Sequence, residues 1–305
     1  MRIGLIAQLH GRPGGDLDPS WASIKELAVT AESVGFDMFV FEDALVYRGE
    51  ETDGCWESVA ISAAIAEATS TIRFGPSVMN SPYRSPAMTA SIATTLDEIS
   101  QGRYVLGIGA GNTPDSDYEA FGFPTDHRYS RFAEAISIIH PLLRTGSVDH
   151  AGEYYAAKDA ELVLRGPSPT GPPINIAAGG PKMLRLVARY ADAWNWWGWD
   201  ETPSQITERM IPIIAELHRA CDEVGRDHQE IERTLDVYSV TPPGMSADGS
   251  SMSQPITGTP AEIAKQLLTL RSLGIVEVRV DLTDKSPAAV EAMAPVVAIV
   301  HAGGH

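Results

Sequence analysis

Apolar positions along the chain follow a repeating rhythm. A short run of mostly apolar, β-rich residues is followed each time by a longer stretch with apolar residues three and four apart. The short runs predict eight strands: Arg2–Gln8, Asp37–Phe41, Arg73–Met79, Tyr104–Gly109, Ile174–Ala177, Ala193–Trp197, Thr234–Val240 and Val276–Asp281. The first helical stretch shows the logic of the others. Asp18 and Pro19 read as its N-cap and first turn, Ile24, Leu27, Ala28, Ala31 and Val34 share one face, and Gly35 ends it. Further helices open at Ser85-Pro86, at Thr202 with Gln205, at Thr259 with Glu262, and at Ser286-Pro287. The two threonine sites read as capping boxes with proline at the first helical position.

Strand–helix alternation repeated eight times implies a parallel α/β sheet. With 305 residues available, a closed (β/α)8 TIM barrel with insertions at its C-terminal face is the predicted fold, since such barrels take ~250 residues. An open doubly wound sheet fits the regular rhythm less well. One domain over residues 1–305 is expected, because no linker interrupts the pattern. Two stretches break it. Residues 145–173 read as a hairpin followed by a proline-rich approach to strand five. Residues 241–258, polar and rich in Gly, Ser and Pro, follow strand seven and read as a lid or binding loop, with an ordinary surface loop as the alternative.

Composition narrows the function classes. The net charge of −17 argues against a non-specific nucleic-acid or anionic-membrane binder. No stretch reaches transmembrane length, and the first apolar run is too short for a signal peptide, so a cytoplasmic protein is expected. Cys55 and Cys221 have neither metal nor disulfide spacing and read as reduced thiols; the eight histidines show no metal spacing either. The expected partner is a small molecule, and a homodimer is the default assembly for a soluble enzyme.

The stretch 74–112, "FGPSVMNSPYRSPAMTASIATTLDEISQGRYVLGIGAGN", and the stretch "GGPKMLRLVARYADAWN" from Gly179 resemble the bacterial luciferase-like superfamily, and more closely its F420-dependent members than its alkane or sulfonate monooxygenases. The resemblance extends with gaps over nearly the whole chain. It implies a TIM barrel that binds coenzyme F420, or alternatively FMN. It also implies a hydride transfer to or from a small organic substrate, with an FMNH2- and O2-dependent monooxygenase as the alternative. A non-catalytic flavin-binding protein is a third reading, prompted by a departure from the family noted below.

Residue by residue, Gly179 and Gly180 let backbone N–H groups approach a ligand at a helix start, with Lys182 and Arg185 in the first turns: an anion site suited to a phosphate. A plain tight turn is the alternative. The resemblance implies a non-proline cis bond at Ser77–Val78, against which the cofactor ring would rest. "GIGAGN" lacks the G-x-G-x-x-G spacing of a dinucleotide fold; its glycines are expected to keep the barrel mouth open, with Ala110 and Asn112 facing the ring. Family members carry a histidine near the end of strand two, where this chain has Glu42 and Asp43. Glu42, Asp43, Tyr47 and Asn112 are therefore the candidate catalytic residues, a carboxylate serving if burial raises its pKa. His10, Trp56, Trp194 and Trp196 are the candidate substrate wall, with core packing the alternative for the tryptophans. An uncharged, bulky or aromatic substrate would suit such a wall. Arg84, Arg128 and Arg131 are candidates for neutralising an anionic tail, ranked below ordinary surface ion pairs.

Overall fold

Side chains along a strand point alternately to its two faces, and here both faces are covered. The structure is a computed structural model and describes residues 1–12, 19–48, 52–111, 116–198, 201–246 and 256–303. Its main strands are β1 (Arg2–Ala7), β2 (Met38–Phe41), β3 (Arg73–Pro76), β4 (Leu106–Gly109), β5 (Ile174–Ala177), β6 (Ala193–Gly198), β7 (Glu232–Val240) and β8 (Ile275–Leu282). They pair in parallel in the order β3-β2-β1-β8-β7-β6-β5-β4. The ring closes because β3 resumes beyond Ser77–Val78 as Met79–Asn80, which pairs with Ile108 and Gly109 of β4. Phe74 also bridges to Tyr104. The chain is a parallel (β/α)8 barrel.

The covering helices are α1 (Trp21–Val34), α2 (Ser58–Ala68), α3 (Pro86–Ile99), α4 (Arg128–Thr145), α5 (Pro181–Tyr190), α6 (Pro203–Val224), α7 (Pro260–Thr269) and α8 (Pro287–Ala292), the last continued by Ala294–Ala302. Both capping boxes form. The start of α1 is corrected: Ser20 is its N-cap, with Oγ accepting from the Ser23 N–H at 3.2 Å. Pro19 precedes that cap, and Asp18 lies outside the described residues. Strand limits shift by at most three residues, and Ile174–Ala177 is found unchanged. Asp37, for instance, falls before β2 because its carboxylate accepts from the Ile3 N–H at 2.7 Å.

The expected hairpin is Ser147–Ala151 paired antiparallel with Ala156–Glu161. Unexpected was a three-stranded antiparallel flap over the mouth, made of His10–Gly11, Thr52–Cys55 and Val46–Arg48. Of the predicted lid, residues 247–255 lie outside the described residues.

The outward faces of the strands make the main core. Ile3, Leu5, Phe39, Phe41, Ile174, Ile176, Leu235, Val237, Val278 and Val280 pack against the helices. The inward faces differ around the ring. Met38, Val40 and Val105 form a small apolar cluster with Ile6 inside the barrel. Gly75 and Gly107 let β3 and β4 approach there: a Cβ on either would stand 2.0 Å from a backbone carbonyl oxygen, of Val105 or of Pro76. Across the barrel, Asn175, Asn195, Thr234, Asp236, Glu277 and Arg279 are all buried. Buried polar groups need partners, and these bond to one another. Asn195 Nδ2 donates to Asp236 Oδ2 at 3.0 Å, Thr234 Oγ1 to Asn195 Oδ1 at 2.7 Å, and Arg279 Nε to Glu277 Oε1 at 2.8 Å.

Candidate active site

At the C-terminal ends of the strands the barrel opens into a cavity of about 410 Å³. Its floor is Ser77 and Val78, joined by a cis peptide bond. Ser77 Oγ donates to Asp236 Oδ2 at 3.0 Å, which ties the floor to the polar half of the interior. A second cavity of about 370 Å³ opens at the N-terminal ends, beside Arg73, Glu232 and Glu277. Barrels of this type carry chemistry at the opposite end, and Arg2 and Arg73 join Glu277 there as a structural ion cluster. Burial opposes ionisation of Glu277, but Arg279, Arg73 and Arg2 outweigh it and hold its carboxyl down at about 2.

His10 and Glu42 meet in the upper cavity. Glu42 Oε1 accepts from the backbone N–H groups of Leu9 (2.8 Å) and His10 (3.1 Å), and stands 2.8 Å from His10 Nδ1. A carboxylate only accepts, so Nδ1 carries the proton and Nε2 is the ring nitrogen not engaged with Glu42. That hydrogen bond holds the imidazole above its ordinary 6.5, against the opposing effect of burial. Tyr47, also lining the cavity, meets the His10 ring edge-on at 4.8 Å between centroids.

Asp43 borders the same cavity, but its lone pairs are engaged. Arg84 donates to both its oxygens (2.8 and 3.0 Å), Ser58 Oγ to Oδ1 (2.7 Å) and the Asn80 N–H to Oδ2 (2.8 Å). This corrects the acid/base expectation for Asp43: it is a clamp between β2, α2 and the end of β3. Arg84, which also pairs with Glu57, is committed to that clamp rather than to a ligand tail. Cys55 lies 3.7 Å from Glu42 Oε1, and burial together with that carboxylate pushes its thiol up, which disfavours the thiolate form.

The tryptophan expectation is corrected by the register of β6. Trp194 and Trp196 are buried in the layer between barrel and helices. The Trp194 indole donates to the Ala178 carbonyl at 2.8 Å, and the Arg209 guanidinium lies 4.8 Å from the Trp196 ring centroid. The alternate residues Asn195 and Trp197 line the cavity instead. Trp56 is also corrected: it is 53% exposed, outside the cavity lining, and its indole donates to the Pro19 carbonyl. Val78 and Ala110 are in the lining, whereas Asn112 lies outside the described residues.

The lining also includes residues absent from the expected set, among them Asn195, Asp236, Tyr238 and Asp281. Burial pushes the Asp236 carboxyl up despite Arg279, Asn195 and Ser77 around it. One oxygen, Oδ1, is buried without a hydrogen-bond partner, 3.6 Å from the Arg279 guanidinium. The signal for these residues was present in the strands, where polar residues alternate with apolar ones in "TLDVY" and "VEVRVD". In a sheet covered by helices, the polar alternates have only the barrel interior to occupy.

Beside the mouth, Gly180 is the N-cap of α5 and supplies no side-chain cap to its free N–H groups. Neither Gly179 nor Gly180 has left-handed backbone. A Cβ on Gly180 would meet nothing within 4 Å, and one on Gly179 would make an ordinary 3.6 Å contact with Trp196. Nothing in the surrounding protein demands glycine here, so the pair leaves an open backbone cradle that suits an anion. Lys182 extends over Tyr129, its Nζ 5.6 Å from the ring centroid. Arg128 donates to the Gly111 carbonyl at 3.0 Å, and Arg131 pairs with Asp126. Among the described residues no group of His, Cys, Asp or Glu could hold a metal ion, and no helix is long and apolar enough to cross a membrane.

A family model described as luciferase-like monooxygenase matches residues 1–243. The F420-dependent glucose-6-phosphate dehydrogenase of Amycolatopsis mediterranei is 30% identical over 224 residues, which is 70% of this chain and 63% of that protein. The 4-hydroxyprotoasukamycin monooxygenase of Streptomyces nodosus subsp. asukaensis is 33% identical over 205 residues, 65% of this chain and 53% of that one. The chain thus spans less than two thirds of either relative. Among solved structures, an F420-dependent secondary alcohol dehydrogenase in complex with an F420-acetone adduct superposes with a TM-score of 0.79 over 98% of both chains, at 18% identity; the likeness is one of fold.

Proposed function

The chain belongs to the luciferase-like monooxygenase family, and from that premise we propose that it is an oxidoreductase using coenzyme F420 to move a hydride to or from a small organic molecule in the upper cavity. The observation that carries this reading is the open Gly179-Gly180 cradle at an uncapped helix start, on a chain whose relatives include F420-dependent enzymes. When bound, the deazaflavin supplies a two-electron hydride carrier that reacts sluggishly with oxygen. The chain's residues do the rest. The N–H groups at the start of α5, with Lys182 nearby, hold a phosphate in the favourable end of the helix dipole. Ser77 and Val78, which line the cavity, would support the cofactor's flat ring. His10, oriented by Glu42 and poised above its ordinary proton affinity, takes or gives the proton that accompanies hydride movement. The flap and the aromatic lining exclude water and set the approach. An imidazole thus borders the cavity from the flap strand that follows β1 rather than from the end of β2, which supports the catalytic reading over a non-catalytic flavin-binding protein.

The test is a binding titration with F420 and FMN followed by absorbance and fluorescence. Saturable F420 binding is expected. Gly180→Asp should weaken it at least tenfold, ~1.4 kcal/mol, with a melting temperature that is unchanged or slightly raised, because the added Cβ meets no neighbour and Asp caps the helix. FMN binding tighter than F420, together with oxygen uptake when reduced FMN is supplied, would replace this reading by the monooxygenase that the asukamycin-type relative represents.

A further inference from the structure

The lining of the upper cavity bears on what it accepts, granted that this cavity is the substrate chamber of the oxidoreductase proposed above. Glu42, Asp43, Asp236 and Asp281 line it, and no lysine or arginine does so among the described residues. The nearby cations are each engaged with a carboxylate. Arg84 holds Asp43 and Glu57, Arg279 lies between Glu277 and Asp236, Lys285 pairs with Asp281, and Arg12 pairs with Asp53. His10 is the one lining group able to carry positive charge, and Glu42 balances it. Arg48 neighbours Tyr47 on the flap strand Val46–Arg48, so alternation turns it to the opposite face. The chain stretches outside the described residues add no lysine, arginine or histidine, apart from His305 at the C-terminus.

Two observations turn an acidic lining into a ligand site. Asp236 borders the cavity and is 3% exposed, and its Oδ1 is buried without a hydrogen-bond partner, with the Arg279 guanidinium 3.6 Å away as its ion-pair partner. Three aromatic rings, of Tyr47, Trp197 and Tyr238, line the same space, and carboxylates combined with aromatic faces form the usual receptor for an organic ammonium group. The acids also sense one another. Beyond burial, Asp236, Asp281 and Glu42 all push the Tyr238 phenol up, and Glu42 adds to the burial that pushes Asp281 up.

We propose that this chamber selects a substrate bearing a positively charged nitrogen and turns away phosphorylated and carboxylate substrates. The dehydrogenase relative is described by a phosphorylated sugar; the lining of this chamber offers such a group no guanidinium or ammonium partner. The expectation of an uncharged, bulky or aromatic substrate loses the part of its basis that rested on Trp194 and Trp196, because those indoles face the helices.

The test uses three probes of one shape and three charges, benzylammonium, benzyl alcohol and phenylacetate, titrated calorimetrically into the protein with and without F420. Benzylammonium is expected to bind at least tenfold more tightly than benzyl alcohol, and phenylacetate not at all. Asp281→Asn removes one carboxylate and releases Lys285, so it should weaken benzylammonium at least fivefold without moving the alcohol. Equal or tighter phenylacetate binding, no charge preference, or wild-type ammonium affinity in folded Asp281→Asn overturns the proposal. The charge series on the unmutated protein needs no variant to fold. Charge preference without F420 binding removes the cofactor reading and keeps this one; F420 binding without charge preference does the reverse.

Discussion

The two halves of the barrel interior are built on different principles. From β1 to β4 the inward positions are mostly apolar or glycine, and Gly75 and Gly107 bring the backbones of β3 and β4 close together. From β5 to β8 the inward positions are mostly asparagine, threonine, aspartate, glutamate and arginine, joined by hydrogen bonds and ion pairs. The first half fixes shape through main-chain approach; the second fixes charge through partners that must all be present at once. The floor at Ser77 is where the halves meet, since its hydroxyl bonds to Asp236 across the barrel.

The comparison can be broken most severely on the charged side. Glu277→Leu leaves Arg279, Arg73 and Arg2 without their shared carboxylate. Removing one partner of a buried ion pair is expected to cost about 3–5 kcal/mol, readable by denaturant unfolding. The same residue gives the charged half a pH signature. Its carboxyl is depressed from 4.5 to about 2, so its contribution is present above pH 4.5 and lost as pH falls through about 2. The melting temperature of the unmutated protein should therefore drop more across that window than that of Glu277→Gln. On the shape side, Gly107→Ala forces a methyl to 2.0 Å from the Pro76 carbonyl. A loss of about 2–3 kcal/mol is expected, with little dependence on pH, and thermal unfolding at two pH values separates the two kinds of damage.

The smallest effect sharpens the picture at the mouth. Glu42→Gln should lower the His10 pKa, measured by NMR titration, because the hydrogen bond to Glu42 is what raises it. A raised histidine contributes stability below 6.5 that disappears as pH rises through the elevated value. The stability difference between Glu42→Gln and the unmutated protein should accordingly shrink toward alkaline pH.

Much of the architecture was legible in the chain. Strand–helix rhythm, two capping boxes and the hairpin after residue 145 report local rules that tertiary structure did not override. The site was legible in part. The Ser77–Val78 turn was reached through the family resemblance, and His10 and Tyr47 by their place after a strand. The choice of wall between Trp196 and Trp197 was not, because alternation says that neighbouring residues part company but not which of them turns inward. Asp236 and Asp281 were passed over because alternating polar residues in a strand usually mean a wet face. Here helices cover the outer face, and the polar alternates are inside. Asp43 looked like the acid because of its position in the chain; only the geometry revealed that Arg84, Ser58 and Asn80 had already claimed its oxygens.

Val78 has one more consequence. A planar guest resting on that side chain has one side shielded by protein and the other facing the chamber. If the chain carries out the hydride transfer proposed above, the hydrogen would cross at the unshielded side, which would give the exchange a handedness, with one prochiral position on the carrier used and its mirror partner left untouched.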